Sequence, residues 1–119
     1  MPQYAVLIYE PGDPDWSRLD TPDKQATMAR YGAFGQAAAA VIRGGAALYP
    51  TTTATTVRVT GDEVVTSDGP FMETKEVLTG FYLLECADLD DAIGWARQIP
   101  AASTGTIEVR PVIDFGAAG

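Results

Sequence analysis

The segment Ser67-Asp68-Gly69-Pro70-Phe71-Met72-Glu73-Thr74-Lys75-Glu76 gathers three carboxylates, one ammonium and one aromatic ring within the nine residues from Asp68 to Glu76. Neighbouring carboxylates raise one another's pKa, so Asp68, Glu73 or Glu76 would suit proton handling near neutral pH. Lys75 would hold an anionic group, and Phe71 would form an apolar wall. The backbone decides which groups meet. In a helical turn Glu73 and Glu76 share a face, whereas in an extended segment Glu73 and Lys75 do. A structural reading stands beside the chemical one: an Asp-Gly-Pro turn, Phe71 as a core plug and the charges as a solvated face.

Other chemistry has fewer residues to draw on. Histidine is absent, which removes the usual near-neutral base and the commonest metal ligand. Cys86 is the only cysteine, so no internal disulfide forms, and its apolar surroundings predict a core thiol. A carboxylate-only site would suit a hard cation, yet no calcium-loop spacing is present. No glycine-rich phosphate loop, nucleophile elbow or zinc spacing occurs either, and neither cofactor nor metal is expected. Glu108 and Arg110, two apart on one strand, would pair or clamp an anion. Tyr9, Tyr31 and Tyr82 are further hydrogen-bonding candidates.

The elements that would position these groups read clearly in several places. Tyr4 to Tyr9 and Phe81 to Cys86 are strands apolar on both faces, which predicts central positions. Thr21, Pro22 and Asp23 start a helix. Its stripe is Met28, Tyr31, Phe34, Ala38, Val41 and Ile42, with Gly44-Gly45 as the stop. Gly32 and Gly35 inside that helix predict close packing against it or simple tolerance. A short strand is expected at 46–49. The alternating Thr56 to Thr60 then turns through Gly61-Asp62 into Glu63 to Thr66 as a hairpin. Asp88 caps a second helix with Leu89, Ala92, Ile93, Ala96 and Ile99 on its buried face and Pro100 at its end. Thr106 to Ile113 is the last strand.

The order β, α, β, inserted hairpin, β, α, β is an α+β, ferredoxin-like plan in one domain spanning residues 1–119. Two helices cover only one sheet face, so strands apolar on both faces predict a homodimer packed sheet to sheet. Sixteen acidic and eight basic residues give a net charge of −8, which disfavours direct nucleic-acid binding. With 46% hydrophobic residues the chain should fold, and with no signal or membrane-spanning segment a reducing cytoplasm is the expected location.

Asp68-Gly69-Pro70-Phe71, then Glu73, Lys75-Glu76 and Gly80-Phe81-Tyr82, resembles the signature of the DGPF branch of the YCII-related family. The likeness extends to Leu7-Ile8-Tyr9, Thr55-Thr56-Val57-Arg58, Asp88-Leu89-Asp90 with Ala92, and Glu108-Val109-Arg110-Pro111-Val112. It implies a ferredoxin-like domain that dimerises as an α+β barrel. Members of the wider family are proposed enzymes, some acting on halogenated rings through a histidine and an aspartate, a pair this histidine-free chain cannot reproduce. The DGPF branch carries no established reaction, and its association with sigma-factor genes implies a regulatory setting. Two functions follow. One is a small-molecule enzyme or binder in the dimer cleft near the signature loop, using Asp68, Glu73, Glu76, Lys75 and Phe71. The other is a non-catalytic acidic protein that binds a regulatory partner.

Overall fold

The computed structural model describes residues 1–116. Strand β1 (Gln3–Pro11) leads to helix α1 (Pro22–Ala37) and strand β2 (Ile42–Ala47). A short 3-10 turn (Thr51–Thr53) precedes the hairpin β3 (Thr55–Thr60) and β4 (Glu63–Asp68). Strand β5 (Glu76–Glu85), helices α2 (Leu89–Ala96) and α3 (Ala101–Thr104) and strand β6 (Thr106–Pro111) complete the chain. The main sheet runs β2-β5-β1-β6 with every neighbouring pair antiparallel, and the hairpin forms its own two-stranded sheet. This α+β order is compatible with the ferredoxin-like plan, with the hairpin inserted between β2 and β5. No helix among the described residues is long and apolar enough to cross a membrane.

Local signals set the element starts. The Thr21 hydroxyl accepts from the Lys24 amide at 3.1 Å with Pro22 in the first turn, and the Asp88 carboxylate accepts from the Asp91 amide at 2.8 Å. Gly61, at φ 61°, supplies the positive φ that the two-residue hairpin turn requires.

Tertiary pairing moved several ends. Helix α1 stops at Ala37, so Val41 and Ile42 do not prolong its stripe as expected. Ile42 instead pairs with Leu84, because β-branched side chains gain more on a half-buried sheet edge than in a helix. Gly44-Gly45 is therefore part of β2 and not a helix stop. A Cβ on Gly45 would lie 2.6 Å from the Phe81 carbonyl oxygen, so glycine is what lets β2 close on β5. Within the chain a Cβ on Gly32 or Gly35 would meet nothing within 4 Å, which leaves those positions open rather than tightly packed. Strand β5 starts five residues earlier than predicted, at Glu76, because pairing with the end of β1 carries it past a bulge between Ile8 and Tyr9. Helix α2 ends at Ala96, and Pro100 begins α3 instead of ending α2. Strand β6 ends at Pro111, two residues short of Ile113.

The core lies on one side of the sheet. Tyr4, Val6 and Ile8 from β1 and Leu84 from β5 meet Phe34 and Ala38 below them and Ala92, Ala96, Ile99 and Ala101 beside them. Cys86 is fully buried there, and burial followed by the charges of Asp91 and Asp88 pushes its thiol pKa up, as suits an inert core thiol. On the opposite face Ala5, Leu7, Tyr9, Phe81 and Leu83 are only half-buried. Glu108 and Arg110 lie at the β6 edge of that face, opposite Leu7 and Ala5, and form no ion pair with each other. The molecule is a plate of 50 × 44 × 20 Å. Its radius of gyration, 16.4 Å, exceeds the ~13.5 Å expected of a compact chain this long.

Candidate functional site

Strand β1 alternates strictly, with Tyr4, Val6, Ile8 and Glu10 all turned to the helix side. Parity thus carries a carboxylate into the core layer, where Glu10 is 7% exposed. Its Oε1 accepts from the Thr79 hydroxyl at 2.9 Å and from the Tyr31 hydroxyl at 3.3 Å, while Oε2 makes no hydrogen bond within the described residues. No ammonium or guanidinium among the described residues is within ion-pairing distance of it.

Each partner is placed by a separate element. Thr79 sits at the bulge of β5, and its hydroxyl also lies 3.4 Å from the Ile8 carbonyl. Tyr31 comes from the middle of α1. Burial, then the Glu10 charge, raises its pKa far above 10.0, so the phenol stays protonated and donates to the carboxylate. Trp16 comes from the β1–α1 loop and stands edge-on to Tyr31, ring centroids 6.2 Å apart. That loop is pinned: the Asp15 carboxylate accepts from the Ser17 amide at 3.0 Å, Lys24 Nζ donates to Asp20 at 3.1 Å, and Gln25 Nε2 donates to the Leu19 carbonyl at 3.0 Å. Ser17 and Lys24 respectively draw the Asp15 and Asp20 pKa values down.

These groups border a cavity of about 280 Å3 between α1 and the β2–β5 edge, lined also by Met28, Ala47 and Tyr82. Gly45 and Gly80 leave its floor without side chains, and a Cβ on Gly80 would lie 2.7 Å from the Ala46 carbonyl oxygen. Trp16 Nε1 is buried without an acceptor among the described residues. The cavity therefore combines aromatic side chains with a carboxylate whose Oε2 has no partner among the described residues, a combination suited to binding.

The signature loop occupies a different concavity. Asp68, Glu73 and Lys75 border a surface groove of about 570 Å3 together with Asp13, Thr51 and Thr52. All three are exposed and have no ion-pair partner among the described residues. Phe71 does not border the groove and is 72% exposed, which rules out a core plug within the chain. Glu76 begins β5, where its Oε1 accepts from the Thr106 hydroxyl at 2.6 Å. The loop is held by the Gly69 amide on the Ala54 carbonyl and by the Thr56 hydroxyl on the Gly69 carbonyl, at 2.7 and 2.8 Å. Asp13, at φ 48°, accepts from the Thr51 amide and hydroxyl and ties the two loops together.

Sequence reasoning named Tyr31 and Tyr82 but missed Glu10, Trp16 and Thr79. The one legible signal was parity, since Glu10 continues the Tyr4-Val6-Ile8 face of a strand predicted to be central.

A four-stranded antiparallel sheet with helices on one face and an aromatic, carboxylate-bearing cavity beneath the first helix defines a small α+β domain. The chain belongs to the YCII-related domain family, which it matches over residues 3–116. It is 42% identical over 117 residues to an uncharacterized protein of Rhizobium meliloti (strain 1021), covering 92% of this chain and 90% of that one.

Proposed function

We propose that the protein binds a small organic molecule in the cavity beneath α1, with Glu10 orienting it. The observation that carries this reading is the Glu10 carboxylate on the cavity wall, held by Tyr31 and Thr79 through one oxygen, with no cation beside it among the described residues. A fragment screen followed by amide and indole NMR tests it. Binding fragments are expected to shift the Trp16 indole N–H signal, and Ala47→Trp, which fills the cavity rim, is expected to abolish the shift. A library that leaves the Trp16 signal unmoved sinks this reading.

The groove at the signature loop supports a second reading, because Asp68, Glu73 and Lys75 share one concavity. Fragments that move those residues and spare Trp16 would transfer the site there.

The reading includes a homodimer packed sheet to sheet as an α+β barrel. It is supported by the half-buried apolar row Ala5, Leu7, Tyr9, Phe81 and Leu83 and by the 20 Å thickness of a two-layer plate. The hairpin adds to it: Val57, Val59 and Val64 share one face and are each at least 60% exposed, although an isolated hairpin is marginal in water. Light scattering at micromolar concentration is expected to give twice the chain mass, falling to the chain mass in Leu7→Lys. A wild-type monomer refutes the dimer.

A further inference from the structure

Glu10 also limits what the cavity accepts. Building on the reading above, we propose that its ligand is a small organic ammonium ion, with the ammonium on Glu10 Oε2 and the carbon body against Trp16, Tyr31 and Tyr82. Three observations converge on this class. The carboxylate has no cationic partner among the described residues, and no Lys or Arg among them lines the cavity. Both hydroxyl donors go to Oε1, so the remaining oxygen is open to a donor from outside the chain. The walls carry the aromatic side chains of Trp16, Tyr31 and Tyr82, a residue type that attracts cations and packs against apolar bodies.

The alternatives fit less well. An anion would meet an uncompensated carboxylate at short range. A neutral ligand would leave that charge without a counter-ion. An ammonium supplies the missing charge together with a charge-assisted hydrogen bond. At about 280 Å3 the cavity lies at the small end of ligand sites, which points to a single-ring or short-chain amine. The protein's net charge of −8 favours the approach of such cations.

Calorimetric titration at neutral pH with benzylamine, benzyl alcohol and benzoate varies the head group while keeping the ring. The amine is expected to bind at least about tenfold tighter than the alcohol, with benzoate weakest. Glu10→Gln, which keeps the shape of the side chain, is expected to erase the preference for the amine, and Ala47→Trp to weaken all three. Circular dichroism and a melting curve establish that each variant is folded, and the head-group comparison on wild type stands even where one is not. If the alcohol or benzoate binds as well as the amine, the ammonium assignment falls while the cavity reading survives. If none of the three binds, the ammonium assignment falls, and the cavity reading rests on the fragment screen alone.

Discussion

Leu84→Ala is expected to destabilise the protein by about 2–5 kcal/mol, a large part of the ~5–15 kcal/mol that holds a domain together. Leu84 is fully buried at the centre of the helix-facing layer, paired with Tyr4 on one side and Ile42 on the other. Shortening it opens a void that these strands can only partly close. The effect reaches the site, because α1 rests on β5 through Phe34 against Tyr82, ring centroids 5.2 Å apart, and the same helix delivers Tyr31 to Glu10. Urea unfolding should show a lower midpoint with an unchanged slope. Val57→Ala on the exposed hairpin is the control, expected to stay within about 0.5 kcal/mol in the isolated chain. A cost at Val57 close to that at Leu84 would mean that the hairpin is buried against another copy. An insensitive Leu84 would contradict the core described above.

Stability should fall steeply above pH 10. Burial pushes the Tyr31 and Tyr82 hydroxyls above 10.0, and the Glu10 charge raises Tyr31 further. In the unfolded chain both ionise near pH 10, so above that value the unfolded state sheds protons that the folded state retains. The stabilisation from their protonated forms is intact below pH 10 and is lost as pH climbs towards the folded values. The slope is up to about 1.4 kcal/mol per pH unit for each tyrosine held fully protonated, and less for the half-buried Tyr82. Cys86, raised from 9.0 by burial and by Asp91 and Asp88, adds to the same trend from a lower pH. Denaturant midpoints between pH 8 and pH 12, with tyrosinate absorbance followed in parallel, measure the effect. Tyr31→Phe should flatten the curve. A wild-type midpoint that does not move between pH 10 and pH 12 would show that Tyr31 ionises as freely as an exposed phenol and is not held by Glu10.

Glycine and β-branched positions explain where sequence reasoning fell short of the fold. Val41, Ile42, Gly44 and Gly45 read locally as the end of a helix, yet each serves strand β2 or the turn into it, because the edge of β5 offers pairing that no local window contains. Pro100 similarly reads as a stop and acts as a start. The site suffered more than the elements. The dense cluster from Asp68 to Glu76 drew attention because charges adjacent in sequence are easy to see. Its carboxylates nevertheless face an open groove or, for Glu76, a neighbouring threonine.

What the sequence determined by itself was whatever depends on a few neighbouring residues. That includes the caps at Thr21 and Asp88, the glycine turn at Gly61, the apolar strands that had to be central and the thiol that had to be inert. The tertiary structure alone decided that Glu10 is buried and what surrounds it. Its hydrogen-bond partners lie 21 and 69 residues away, one on a helix and one at a bulge, and the tryptophan beside them arrives on a loop. A side chain's environment is the sum of what other elements bring to it, and those contributions arise only when the chain closes on itself.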